Sequence, residues 1–181
     1  MKEKITDRHI LDEFSERKEY SFRLLYEKYH ERLYFHIRRI VILHEDADDA
    51  LQNTFIKIWN NLDKFRKESS LYTWIYRIAS NEALAQLKKR KKQSGLNLDE
   101  LSEYFNLSTE GDSLFDGDEA ERKLQNAILK LPEKQKLVFN LKYYDMMKYE
   151  DISKVLNTSV GGLKASYHHA VKKIEEYLKN N

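Results

Sequence analysis

Lys164, Ala165, His168 and His169 are spaced to share one face of a helix. Lys can bond guanine edges or phosphates, and His can do so more weakly. Ala165 permits close approach to a base or a thymine methyl. On spacing alone, an ordinary helical hairpin with a solvated face remains the alternative. A second group is the run FRKESS, Phe65 to Ser70, with Tyr72, Trp74, Tyr76 and Arg77 after it. Rings interleaved with cations suit single-stranded nucleic acid, where rings stack on unpaired bases and cations hold phosphates. Trp74 reads more simply as a core residue, so Tyr72, Tyr76 and Arg77, nearer the other face, are the better ligand candidates. A third group, KKRKK at Lys88 to Lys92, suits phosphate backbone without sequence preference, or is a solvated helix end.

Other chemistry is poorly represented. The acidic cluster Glu45, Asp46, Asp48 and Asp49 has no histidine placed to complete a metal site, and a helix N-terminus accounts for its charge. His168 and His169 point about 100° apart on a helix and cannot share a metal. There is no nucleophile motif, phosphate loop or pair of catalytic carboxylates. No metal, cofactor or catalytic residue is therefore expected.

These residues need helices to position them, and the composition supplies helix formers. The 181 residues include 1 Pro and 5 Gly, and 34% are charged. With no Cys, disulfides and Cys-ligated zinc are excluded within the chain. The first residues, MKEKITDRHILDEF, lack an apolar run, so no secretory leader is expected. The longest aliphatic stretch, Ile40 to Leu43, is far too short to cross a bilayer, and the chain is expected to be soluble.

Charge divides the sequence in three. Residues 1–92 hold 20 Lys and Arg against 15 Asp and Glu, residues 93–121 hold none against 9, and residues 122–181 hold 12 against 6. Two basic blocks around an acidic strip suggest two domains that touch a polyanion and a connector that does not. The expected fold is all-α, with helical domains at 1–92 and 118–181 joined by a flexible acidic linker at 93–117.

Periodicity places helices at about Asp7 to Arg17 and Ser21 to Leu43, with Ser21 as N-cap and Tyr26 among the apolar-face residues. A third helix follows the acidic cluster, and a fourth covers Leu71 to Lys92. Beyond the linker come a helix ended by Pro132, a second around Leu137 to Tyr144 and a short third at Tyr149 to Leu156. A turn at Asn157 to Ser159 leads to a last helix from Val160 to Leu178, with Leu178 inward. A short helix, a polar turn and a longer basic helix form a helix-turn-helix.

The stretch DADDALQNTFIKIWNNLDKFRKESSLYTWIYRIASNEALAQLKKRKK closely resembles region two of the extracytoplasmic-function (ECF) class of bacterial sigma factors. The stretch LPEKQKLVFNLKYYDMMKYEDISKVLNTSVGGLKASYHHAVKKIEEYL resembles their region four. The resemblance implies a sigma factor that binds core RNA polymerase and directs promoter-specific initiation, with catalysis left to the core. It implies that Asp46, Asp49, Gln52 and Phe55 dock on the beta-prime clamp helices, and that the beta flap is a further contact. It implies minus-ten recognition by Phe65, Arg66, Lys67, Glu68, Ser69, Ser70, Arg77 and Asn81. Minus-thirty-five contacts would fall on Lys164, Ala165, His168 and His169. An anti-sigma factor, a cytoplasmic location and no membrane insertion by the chain itself are implied as well.

Three positions depart from the family pattern. Asn53 stands where the family usually has a carboxylate, removing one negative charge from the docking helix. Ser166 and His169 stand where it commonly has Arg, so modest affinity of the isolated C-terminal domain for DNA is expected, offset by avidity in the polymerase complex. In the family the connector threads through the polymerase cleft and RNA exit path. The carboxylates between Asp99 and Glu121 would there mimic RNA, or form a plain tether.

Overall fold

The computed structural model describes residues 5–41, 43–94 and 119–180. The expected linker at 93–117 lies outside these residues except for Gln93 and Ser94, which end a helix. Among the described residues there are eight α-helices and no strand. They are α1 (Asp7–Phe14), α2 (Lys18–Val41), α3 (His44–Asn61), α4 (Leu71–Ser94), α5 (Glu119–Leu129), α6 (Glu133–Tyr143), α7 (Tyr149–Leu156) and α8 (Val160–Asn180).

Helix α1 starts at Thr6, whose hydroxyl accepts from the His9 backbone N–H at 3.1 Å. Asp7 in its first turn accepts from the Lys28 ammonium and from the Tyr29 hydroxyl, which ties α1 to α2. Ser21 is not an N-cap. Helix α2 begins three residues earlier, and the fully buried Ser21 hydroxyl donates to the Ile10 carbonyl at 2.6 Å. A small polar side chain inside a helix is tolerated here because a neighbouring helix supplies its partner.

The apolar spacing of α2 buries Leu25, Tyr29, Leu33 and Ile37 against Ala47, Ala50, Leu51 and Ile58 of α3 and Leu71, Ile75, Ala79 and Ala83 of α4. Small residues at Ala47, Ala50, Ala79 and Ala83 let the backbones approach closely. Tyr26 departs from expectation: it is 44% exposed, at the edge of the stripe beside His30 and Phe55.

In the C-terminal half, α5 stops at Leu129, and Pro132 becomes the residue before α6, where its missing N–H costs nothing. Asn157 closes α7 in the left-handed region, φ 49°, a conformation Asn tolerates better than most residues. Ser159 then accepts from the Gly162 backbone N–H at 3.2 Å, starting α8. Leu163, Ala170 and Ile174 fix the inner face of α8. Leu178 is 40% exposed, and Tyr177 packs inward at the last turn instead.

The two halves share one core. The cluster containing Leu25, Ile58 and Ile75 continues into Val138, Leu141, Ile152 and Leu163. A smaller cluster joins Ala127, Ile128 and Leu131 to Phe139, Ala170 and Ile174.

Candidate nucleic-acid interface

The loop before α4 is held from both ends. Phe65 packs on Trp74, with ring centroids 5.3 Å apart. Ser70 caps α4, its hydroxyl accepting from the Thr73 backbone N–H at 3.1 Å. Between them Arg66, Lys67 and Glu68 are exposed, and Lys67 adopts φ 58°. A non-glycine residue held there carries backbone strain of about 1 kcal/mol. Arg77 and Asn81 are exposed one turn apart on α4, so both face the same side as the loop.

Burial reassigns two of the aromatic candidates. Tyr76 is fully buried, and burial beside Asp145 drives its hydroxyl pKa far above the ordinary value. It is a core residue with no surface to offer a base. Tyr72 is half-buried, and its hydroxyl donates to the Asp145 backbone carbonyl at 2.9 Å. Periodicity placed both near the outer face because it could not show that a second helical layer covers that side of α4. Trp74 is half-buried against Phe65, consistent with its reading as a packing residue.

The basic run at the end of α4 splits by face. Lys88, Lys89 and Lys92 are exposed. Arg90 bonds the Asp46 carboxylate at 2.9 Å, and Lys91 pairs with Glu133 at 2.8 Å.

On α8, Lys164, Ala165, His168, His169 and Lys172 are all exposed, opposite the buried Leu163 and Ala170. The two imidazoles lie 5.9 Å apart, centroid to centroid. Lys164 reaches the ring of Tyr149 at 5.9 Å, and Lys172 lies 4.0 Å from Glu176. This face presents cations and one small residue on a rigid helix, as major-groove reading requires.

A different surface carries most of the residues expected to dock. Asp49, Gln52 and Phe55 line a groove of about 620 Å³ together with Phe22, Tyr26, Ile56 and Trp59. Ile56 is 50% exposed, an apolar side chain open to a partner. Asp46 is not in this groove. It is 5% exposed on the opposite side of α3, where it accepts from Gln86 Nε2 at 2.7 Å and from Arg90 Nε. Four carboxylates within five residues cannot all face one way on a helix, and the one nearest α4 is taken up there.

Sequence reasoning also missed what lies opposite Arg77 and Asn81. Both line a cleft of about 610 Å³ whose far wall is Lys154, Asn157 and Thr158 of the C-terminal half. A neighbouring cleft of about 370 Å³ sets Arg66, Ser69 and Trp74 against Lys154 and Asn157.

Comparison with known proteins adds three findings. Residues 25–93 match the family Sigma-70 region 2, and residues 121–174 match the family Sigma-70, region 4. The ECF RNA polymerase sigma-E factor of Haemophilus influenzae is 30% identical over 98% of this chain and 98% of its own. Two solved structures share the fold. CnrH, in complex with the cytosolic domain of CnrY, has a TM-score of 0.72 at 19% identity, over 97% of this chain and 98% of its own. The sigma factor RpoE of Bartonella quintana, in complex with the anti-sigma factor NepR, has a TM-score of 0.68 at 21% identity, over 87% and 96%.

Proposed function

The chain belongs to the ECF class of sigma-70 factors, and on that premise we propose how its surfaces divide the work. As a sigma factor it binds core RNA polymerase and directs it to promoter DNA, with no catalytic site of its own. In our reading, residues 1–92 form the domain for polymerase docking and minus-ten recognition, and residues 118–181 the domain for minus-thirty-five recognition. The observation that carries this is the pairing of two separate exposed faces. Arg77 and Asn81 project beside a strained loop on α4, while Lys164, Ala165, His168 and His169 project from α8.

The minus-ten reading follows from side-chain chemistry. Asn81 offers an amide NH2 that donates and a carbonyl oxygen that accepts, enough to read a base edge once the base has left the stack. Arg77, Arg66 and Lys67 hold the phosphates on either side. Phe65 and Ser70 act indirectly, by packing and capping, with Glu68 and Ser69 at the rim. Melting rests on trapping unpaired bases, which needs no energy source. On the second face, Lys164 and the two histidines contact phosphate or guanine, and Ala165 lets the helix approach the groove.

Docking falls on the groove of Asp49, Gln52 and Phe55, whose exposed carboxylates suit a basic partner helix such as the beta-prime clamp. Asp46 supports that groove by fixing α3 against α4. The beta flap is a further contact in this reading. An anti-sigma factor is a regulatory partner, a proposal supported by the NepR bound to the Bartonella RpoE. The chain acts in the cytoplasm with polymerase. No described helix is long and apolar enough to cross a membrane.

Run-off transcription with core polymerase on a genomic fragment library tests the function directly. Defined start sites that need both core and this chain are expected. Starts unchanged by adding the chain would overturn the reading.

A further inference from the structure

Cations gather from three helices around one cleft. Arg77 of α4, Lys134 of α6 and Lys154 of α7 line the cleft of about 610 Å³. Lys64 and Arg66 line the neighbouring cleft, which shares Arg77, Lys154 and Asn157 with the first. None of these five side chains has a hydrogen bond, ion pair or ring contact among the described residues. Two carboxylates lie close by. Glu133 is taken up by Lys91 at 2.8 Å, and Glu68 is exposed in the loop before α4.

Elsewhere in the chain, cations that reach another helix meet a carboxylate there. Lys28 meets Asp7, Lys57 meets Glu82, and Arg90 meets Asp46. Like charges that converge without such a partner repel one another. Lys134 carries a second cost, because a cation in the first turn of α6 opposes the helix dipole. Promoter reading accounts for Arg66 and Arg77. It does not account for Lys134 and Lys154, which belong to neither DNA-reading face. An anion set between the three helices would offset both costs.

The rest of the lining narrows the class of anion. Leu84, Leu137, Val155 and Leu156 give the larger cleft an apolar wall, and Asn81 and Asn157 add two amides. An amide donates through its NH2 and accepts through its carbonyl oxygen, which matches the edge of a base. The apolar wall suits the face of a base or sugar. Inorganic phosphate would leave the wall and both amides unused. The volume lies within the range of small-molecule sites, about 300–1,000 Å³.

We propose that this cleft is a binding site for a nucleoside polyphosphate. Arg77, Lys134 and Lys154 hold the phosphates, while Asn81, Asn157 and the apolar wall hold the nucleoside. Arg77 and Asn81 are also the residues assigned above to unpaired bases, so the ligand and an unpaired promoter strand exclude one another. That exclusion rests on the minus-ten assignment; the site itself does not.

Anisotropy of N-methylanthraniloyl-ATP, titrated with the full-length free chain, tests the site. Saturable binding displaced by unlabelled ATP is expected. Lys134→Ala/Lys154→Ala should weaken it about tenfold or more, because two charge-assisted contacts are lost. Lys173→Ala/Lys179→Ala removes the same charge from exposed positions on α8 and should change it less than about twofold. Absence of saturable binding to the wild-type chain overturns the proposal, as does an equal loss in both double variants, which would mean general attraction to a basic protein. Tripolyphosphate that displaces the probe as well as ATP does would refute the nucleoside part. If the first double variant does not fold, Lys154→Gln alone is read in the same way, with a loss of about threefold or more expected. Arg77→Ala should also weaken the probe; unchanged affinity refutes the exclusion. The titration contains neither core nor DNA, so its failure is separate from a failure of the run-off experiment, which would overturn the functional reading instead.

Discussion

Replacing Asp46 and Asp49 separately by Asn separates two roles that look alike in sequence. The Asp46 side chain is 7% exposed and accepts from Arg90 at 2.9 Å and Gln86 at 2.7 Å. Hydrogen bonds to a charged group contribute about 1.5–3 kcal/mol each, and Arg90 is one-third exposed, which screens its share. Loss of charge at Asp46 should therefore cost about 2 kcal/mol. For a chain of this size that lowers the thermal midpoint by roughly 4–8 °C. Asp49 is exposed in the docking groove, so Asp49→Asn should change stability by less than about 0.5 kcal/mol. Its core affinity should fall about fivefold or more, because a carboxylate facing a basic helix is lost. Thermal unfolding by circular dichroism gives the first quantity, and competition for labelled core gives the second. An Asp46→Asn variant that melts like the wild type while losing core affinity as Asp49→Asn does would refute these separate roles.

Further outcomes follow from the same structure. Lys136 is held down to about 8 from the ordinary 10.5 by burial, with help from Lys91. Between those values the unfolded chain carries the extra proton, so the stability contribution of the site rises with pH from 8 to 10.5, and below 8 the full cost is present. Lys136→Met should then stabilise the chain at pH 7 by about 1–3 kcal/mol, and chemical denaturation at pH 10 should show most of that gain gone. At the helix-turn-helix, Asn157→Ala should cost about 1 kcal/mol and Asn157→Gly little, since the site needs φ 49°; urea midpoints of the two variants check this. On α8, His169→Ala should weaken binding to minus-thirty-five duplex about threefold or more, read by anisotropy, because the exposed imidazole faces phosphate or a base edge. Unchanged binding would show that His169 makes no such contact.

Much of the architecture was legible because each helix carries its own signal. The three-and-four spacing of Leu25, Leu33 and Ile37 marks α2, and Pro132 and Asn157 punctuate the C-terminal helices by backbone chemistry that acts locally. The exposed face of α8 was legible for the same reason, since a helix packed on one side only leaves the other to solvent. What failed depended on a second neighbour. Ser21 looked like a cap because its partner, the Ile10 carbonyl, belongs to another helix. Tyr76 looked available because nothing local indicates that Asp145, 69 residues later, covers it. Asp46 looked like Asp49 until α4 supplied Arg90. The seam between the halves was the least legible feature. Its contacts are single polar pairs such as His36 with Asp145, separated by 109 positions and without periodicity.

Fluorescence of 2-aminopurine placed in the minus-ten strand at a mapped start site reports whether α4 captures unpaired bases through Arg77 and Asn81. With core and the wild-type chain, fluorescence should rise as the base leaves the stack. Arg77→Ala/Asn81→Ala should reduce the rise about tenfold or more, while Lys164→Ala should weaken duplex binding yet leave the opened signal intact once bound. Opening of the same base to the same extent by the α4 double variant would show that Arg77 and Asn81 do not capture it.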